Sequence, residues 1–272
     1  MKEKQEKFRS TLAVTFALFT SIIICYSPLS AQNKNNSYVI THDDSLALEK
    51  LIVEKYYVSD ASDYTDTLQS PLPKASVTYR IFIDLKPGYS LQLVFGNQKH
   101  ELVLETSTRF YNDKTADAFT GFNINPKYVS SGNIAFDSWI TMGAAARGFT
   151  GILRSEDTTG FSLISNRASL KLADGLTKGV LPDFKQFNLD LNFFNNDSNA
   201  TRFSTNDGGW AALGGVKGPT PENRVLIAQL TTNGKLTFRL NVQIGTPTGG
   251  SVKFVASKPE ASEIQFDGLI QK

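Results

Sequence analysis

The chain has 272 residues, with 28 Lys and Arg against 26 Asp and Glu, and a single cysteine. No basic block or stripe stands out along it, so the counterion release that drives binding to nucleic acid has no evident source. The composition therefore excludes nucleic acid as the main partner.

The first 31 residues have the features of a secretory signal peptide. A positively charged start precedes an apolar run from Leu12 to Cys25, Pro28 interrupts it, and small residues suit cleavage after Ala31. The run is shorter than the roughly 20 apolar residues that a membrane anchor needs. We therefore expect residues 1–31 to be removed, with no transmembrane segment left afterwards.

Cleavage would change both the charge and the cysteine content. The predicted signal peptide holds four basic and two acidic residues, which leaves 24 of each in the mature part, and it also holds the only cysteine. Disulfide and thiol chemistry are then excluded. A mature chain of about 240 residues can bury enough surface in one core to need no disulfides.

The mature part begins with a polar leader at residues 32–45, after which the pattern becomes strand-like. Apolar and polar residues alternate from Leu51 to Val58, which predicts a strand. A helix from Asp44 to Lys55, with Asp44 as N-cap, is the alternative. Residues 59–75 are rich in turn residues and predict a loop.

The remaining strands follow at short intervals. Val77–Leu85, Leu91–Gly96 and Glu101–Thr106 are joined by short turns and predict an antiparallel meander in that order. Asn233-Gly234 predicts a hairpin turn. Further strands are predicted at Ile134–Met142, Phe187–Phe193, Val225–Leu230, Leu236–Ile244 and Val252–Ala256.

About nine short strands with no long amphipathic helix and no repeat of 20–50 residues predict an all-β fold. We expect a two-sheet antiparallel β-sandwich, similar to a jelly roll, as a single domain over residues 46–272. A division near residue 205 is the alternative.

No catalytic residue can be assigned from motifs. The two histidines, His42 and His100, have no nucleophile-elbow motif beside them, and no zinc spacing is present. A glycosidase pair of carboxylates has no local spacing rule, so strand residues such as Glu54, Glu101 and Glu105 keep a hydrolase open as an alternative.

A calcium site is the metal site that the sequence suggests. Asp60, Asp63 and Asp66 recur at every third residue in a loop that Pro71 and Pro73 bound, and hard cations take carboxylate oxygens. The competing interpretation is a solvated acidic loop, because Asp side chains commonly cap turns without metal.

Trp210 is the candidate ligand-binding residue. It lies in the glycine-rich stretch 208–215, where nothing in the sequence requires burial, and an exposed Trp can stack on a sugar ring. A place in the core is the alternative, and it is the expectation for Trp139.

Two stretches resemble segments of large secreted β-rich proteins of Bacteroidota and other environmental bacteria. They are VEKYYVSD with LPKASVTYRIFIDLKPG, and GWAALGG with NRVLIAQLTTNGKLTFRLNVQI. Asp44-Ser45-Leu46, Asp66-Thr67-Leu68 and Asp157-Thr158-Thr159 also resemble the O-glycosylation signal of that phylum. The resemblance implies life at the cell surface or outside the cell and brings no catalytic motif.

Taken together, these features predict a secreted or cell-surface, non-enzymatic module for extracellular adhesion, envelope structure or glycan binding. The partner would be a glycan or another envelope protein, and a periplasmic location stays open. The alternative is a carbohydrate-active hydrolase that uses a carboxylate pair.

Overall fold

The computed structural model describes residues 38–64, 70–115, 118–194 and 201–272. The predicted signal peptide at residues 1–31 lies outside this part of the chain. Residues Tyr38–Lys272 belong to one compact unit. Within the described ranges, no helix is long and apolar enough to cross a membrane.

The described residues form short strands joined by turns, with one α-helical turn, α1 (His42–Ser45). The strands are β1 (Leu48–Val58), β2 (Val77–Leu85), β3 (Ser90–Phe95), β4 (Leu102–Thr106), β5 (Trp139–Ile140), β6 (Ala144–Ala146), β7 (Phe149–Gly151), β8 (Leu176–Lys178), β9 (Phe184–Phe187), β10 (Arg202–Thr205), β11 (Gly209–Val216), β12 (Arg224–Thr232), β13 (Leu236–Arg239), β14 (Val242–Gly245), β15 (Ser251–Val255), β16 (Glu263–Gln265) and β17 (Ile270–Gln271). Five 3₁₀ turns lie at Ile134–Phe136, Arg154–Glu156, Ala168–Leu170, Leu191–Phe194 and Asp267–Leu269.

The strands form four sheets. The β2 sheet has the order β1-β2-β12-β5, and the β3 sheet has the order β16-β15-β14-β3-β11-β9. The β4 sheet runs β10-β4-β13-β17, and the β7 sheet runs β6-β7-β8. Neighbouring strands are antiparallel except β15 and β16, which are parallel. The all-β, mainly antiparallel class is therefore confirmed, whereas a sandwich of only two sheets is not.

The two central strands of the β2 sheet, β2 and β12, are buried on both faces. Ile81 and Ile83 point into the main core, which also takes Val94 from the β3 sheet and Leu104 from the β4 sheet. Phe82, one residue away on β2, points into a second core beneath the loops between β4 and β9. This arrangement follows from the two-residue period of a strand, and each fully buried large side chain contributes about 2 kcal/mol.

The predicted meander is wrong, although each of its three strands exists. β2 pairs with β1 and β12, β3 pairs with β11 and β14, and β4 pairs with β10 and β13. Alternation along a strand shows which residues are buried but not which strand lies beside it. The partners are instead set by packing between segments that are far apart in sequence.

The predicted hairpin at Asn233-Gly234 is also wrong, since β12 and β13 belong to different sheets. The predicted strand Leu236–Ile244 divides into β13 and β14, and the chain changes sheet between them. Asn241 lies at this change and is fully buried. Its amide donates to the Phe95 and His100 carbonyls at 3.1 Å each, so it satisfies backbone groups that no ladder pairs.

Two further strand predictions are only partly right. The region Ile134–Met142 contains a 3₁₀ turn and the two-residue strand β5, and Phe187–Phe193 gives way to the 3₁₀ turn at Leu191–Phe194. The last predicted strand, Val252–Ala256, corresponds to β15. The β1 strand confirms the strand interpretation of Leu51–Val58, and the alternative helix from Asp44 to Lys55 is wrong.

The residues assigned to a polar leader include a short element tied to the body. Thr41 caps α1 in a capping box with Asp44. The Asp44 carboxylate accepts from the Tyr38 hydroxyl (2.7 Å), from the backbone N–H and hydroxyl of Thr41 (2.9 and 2.7 Å) and from the Tyr89 hydroxyl (3.1 Å). Burial by itself would raise the pKa of Asp44, but these hydrogen bonds outweigh burial and lower it to about 2.

Candidate functional site

Trp210 lies in β11 and is fully buried in the main core. The ring therefore offers no surface on which a sugar could stack, and the core alternative describes this residue. Its indole Nε1 has no hydrogen-bond partner. The first part of the glycine-rich stretch, Gly209–Ala212, is a paired strand, with Trp210 opposite Val94 of β3 and Gln186 of β9.

The structure brings Asp60 and Asp63 together in one turn, while Asp66 lies outside the described residues. Asp63 is fully buried. Its oxygens accept from the Tyr57 hydroxyl, the Asp60 backbone N–H and Nε of Arg167, each at 2.7 Å. Protein donors thus occupy the oxygens of Asp63, and in the described ranges no cluster of three or more potential metal-ligating side chains is found.

Arg167 is the partner that sequence reasoning missed. Its Nη2 donates to Oδ1 of Asn133 at 2.6 Å, and its guanidinium lies 5.5 Å from the centre of the Phe136 ring. This arginine connects the Asp63 turn to the segment before β5. It follows Asp63 by 104 residues, so no local spacing could have revealed the contact.

The carboxylates considered for hydrolysis have protein partners. Glu101 and Glu105 both bind the guanidinium of Arg202. Glu54 accepts from the Arg154 backbone N–H at 2.8 Å, while its other oxygen has no partner. Burial raises the pKa of Glu54, against the lowering effect of the nearby Arg80 charge.

The two histidines also lie in positions that do not suit a catalytic base. His100 is buried, and its Nε2 lies 2.7 Å from Oε2 of Glu263 in β16. This pair fastens the β3–β4 connection to the C-terminal segment. His42 lies in α1. Neither position shows a Ser-His-Asp geometry among the described side chains that contact it.

The most suitable ligand site is a surface groove that we call the Asn123 groove. It consists of two adjoining pockets of about 430 and 500 Å³, both lined by Asn123. The first is lined by Thr115, Ala118, Asn123, Ile124, Asn125, Tyr128, Ser131, Ile134 and Arg147. The second is lined by Thr120, Phe122, Asn123, Pro182, Asp183, Phe184, Lys185 and Gln186.

Aromatic rings occur in both halves of the groove. Tyr128 is 56% exposed. Phe122 and Phe184 stack on each other with ring centres 4.6 Å apart, and thereby join the 118–134 segment to the edge strand β9. An exposed aromatic ring beside amide side chains offers both an apolar surface and hydrogen-bonding groups to an amphipathic ligand.

The segment that carries most of the groove is held by its backbone. Gly121 lies so close to the neighbouring chain that a Cβ there would be 2.2 Å from the Ala144 carbonyl oxygen, so only glycine fits. Ile124 is buried beneath the groove, and its carbonyl accepts from the Arg147 backbone N–H at 3.0 Å. These contacts position the backbone of residues 121–124, which carries the Asn123 side chain at the surface and gives the groove a preformed backbone shape.

Two buried carboxylates lie next to the groove. Asp113 accepts from the backbone N–H and hydroxyl of Thr115, a groove residue, and its own backbone N–H donates to Asp137 at 2.6 Å. The second oxygens of Asp113 and Asp137 have no partner. Burial, together with the negative charge of Asp113, raises the pKa of Asp137 well above its usual range.

The sequence contained a signal for this groove that periodicity could not reveal. Phe122, Asn123, Asn125, Pro126 and Tyr128 form a short stretch of aromatic, amide and turn residues without strand alternation. Such composition indicates an irregular surface segment of the kind that often carries binding residues. Compared with known proteins, the chain matches no family model, no curated protein and no solved structure.

Proposed function

We propose that this chain is a secreted, non-enzymatic β-sandwich module that binds glycan in the Asn123 groove. The observation that carries the proposal is the exposed ring of Tyr128 in a preformed pocket whose other exposed side chains are polar. A sugar ring has one apolar face and a rim of hydroxyl groups. An aromatic face beside hydrogen-bonding side chains complements both parts.

The polar lining suits hydroxyl groups. Asn123 and Asn125 in one half and Gln186 in the other offer amide donors and acceptors at the surface. The Phe122–Phe184 stack supplies a second apolar wall in the neighbouring half. With about 430 and 500 Å³ in the two halves, each half has room for a sugar unit, which favours an oligosaccharide over a monosaccharide.

The lining favours binding over hydrolysis. Asp183 is the one carboxylate among the described lining residues of the two pockets, and it is paired with Lys185 at 2.7 Å. A glycosidase needs two carboxyl groups on opposite sides of the bond that it breaks. Adhesion or a contribution to envelope structure would follow from glycan binding by an exported protein.

Export is the other part of the proposal, and the predicted signal peptide supports it. The protein recovered outside the cytoplasm should begin at Gln32, which mass analysis of its N-terminus measures. Intact Met1 on the folded protein would contradict export. A calcium ion at the Asp60–Asp63 turn would be a structural addition and is not required for recognition in the groove.

The test of binding is a glycan array on the mature protein, followed by calorimetry with the glycans that bind. Tyr128→Ala should weaken binding at least tenfold, which corresponds to about 1.4 kcal/mol. Phe161→Ala is the matched control, because Phe161 is 55% exposed and does not line the groove.

Equal affinity of both variants and the wild type would exclude the groove. A hydrolysis screen on the same glycans separates the alternative function. Turnover that a single Glu→Gln change at Glu54, Glu101 or Glu105 abolishes would favour the hydrolase.

A further inference from the structure

Arg147 gives the groove a fixed positive charge at its edge. It lies in the tight turn between β6 and β7, where Gly148 takes a φ of +77°. Its backbone N–H donates to the Ile124 carbonyl at 3.0 Å, and its Nη2 donates to the Asn123 carbonyl at 3.2 Å. Both contacts are to backbone atoms of the groove segment, so the guanidinium is held beside the pocket although it is exposed.

The charge of Arg147 has no carboxylate partner among the described residues. Four other arginines, in contrast, lie within ion-pair distance of Asp or Glu: Arg167, Arg202, Arg224 and Arg239. A guanidinium has five N–H donors, of which the Asn123 carbonyl takes one. The remaining donors are available to a ligand.

The other lining residues of the Tyr128 half also favour a negatively charged ligand. None of the nine lining residues of the Tyr128 half is acidic. The lining instead includes the hydroxyl group of Thr115, the amide of Asn125 and the aromatic ring of Tyr128. A carboxylate that enters this half therefore meets the Arg147 guanidinium and, among the described lining residues, no negative side chain.

We infer that the glycan carries a carboxylate and that Arg147 binds it, so the ligand is a uronic-acid-type oligosaccharide. This inference rests on the proposed glycan function and names its ligand class. Two parallel N–H groups of a guanidinium match the two oxygens of a carboxylate, which gives geometric selectivity as well as charge. The Tyr128 ring would hold the apolar face of the same sugar.

The experiment compares a uronic-acid oligosaccharide with its carboxyl-reduced, neutral counterpart of identical linkage, titrated into the mature protein. At about 50 mM salt, the wild type should bind the acidic form about tenfold tighter, and the preference should shrink at high salt. Arg147→Gln should bring the ratio of the two affinities to about one, and this ratio is the readout, because loss of the bond to the Asn123 carbonyl weakens both forms alike. Lys178→Gln removes one exposed charge outside the groove lining and should keep the preference.

The outcomes separate this inference from the function on which it rests. Equal wild-type affinity for the two forms, or a preference that persists in Arg147→Gln, overturns the carboxylate inference. If Tyr128→Ala still weakens both forms in that case, glycan binding in the groove stands. Binding of neither form overturns both. A sulfated oligosaccharide and free glucuronate serve as further arms, and tighter binding of either than of the uronic-acid oligosaccharide also contradicts the inference.

Discussion

Removal of the Arg167 guanidinium is the perturbation that most sharply distinguishes a buried ion pair from a calcium loop. Arg167 is 12% exposed at its side chain and Asp63 is not exposed at all. In Arg167→Ala, the Asp63 carboxylate keeps its bonds from Tyr57 and the Asp60 backbone but loses its countercharge. A buried charge without its partner is costly, because water cannot replace the lost interaction.

The expected loss is about 3–5 kcal/mol of unfolding free energy, the range for breaking one side of a buried pair. Arg167 also loses its bond to Asn133 and its contact with the Phe136 ring, which places the loss toward the upper end. For a unit of this size, about 4 kcal/mol corresponds to a fall in Tm of roughly 10 °C.

Thermal and urea unfolding followed by circular dichroism measure this loss. Arg202→Ala is the matched control, since Arg202 is 43% exposed and its partners Glu101 and Glu105 are similarly exposed. We expect about 1 kcal/mol or less for that variant. If both variants lose the same small amount of unfolding free energy, the Asp63–Arg167 pair does not stabilise the fold and the reasoning is refuted.

Three further outcomes follow from buried carboxylates. The pKa of Asp44 is lowered to about 2 from 3.8, so its stabilisation is present above about pH 4 and is lost as the pH falls to about 2. Asp44→Asn should lower the free energy of unfolding by about 1–2 kcal/mol at pH 7 and should reduce the loss of stability between about pH 4 and pH 2. A loss of stability in acid equal to that of the wild type contradicts this. The pKa of Asp137 is raised, so wild-type stability falls as the pH rises through its titration. Asp137→Asn should therefore raise the Tm at pH 7. A lower Tm would contradict this and show that the Asp113 backbone N–H needs a carboxylate as its acceptor. Because protein donors occupy the oxygens of Asp63, we expect equal melting midpoints in millimolar calcium and in chelator; a higher midpoint in calcium would support the metal site that the sequence suggests.

Local sequence patterns were enough to predict the fold class and individual strands. The alternation of β2 correctly separates Ile81 and Ile83 from Phe82, because a strand directs successive side chains to opposite faces. The sheet partners could not be read in this way, since β2 contacts β12 across a long sequence interval. The second core also has no sequence signature of its own, as it lies beneath irregular segments.

The candidate site was harder to predict from the sequence than the fold. The glycine-rich sequence around Trp210 suggests a surface loop, yet Gly209 pairs with Phe95 of β3 and the Trp210 ring is buried. A Cβ at Gly209 would lie 2.4 Å from the Val94 carbonyl oxygen, so the glycine marks a close approach between strands and not a surface loop. The Asn123 groove combines segments that meet only in the folded chain, such as Tyr128, Arg147 and Gln186.

The most direct test of glycan binding in the Asn123 groove is an amide NMR titration of the mature protein with an oligosaccharide that it binds. The amide signals of Asn123, Tyr128 and Gln186 should shift together with one dissociation constant, while the signals of Asp63 and Trp210 should stay in place. Shifts that cluster around other residues, with the Asn123 and Tyr128 signals unmoved at saturation, would contradict the account.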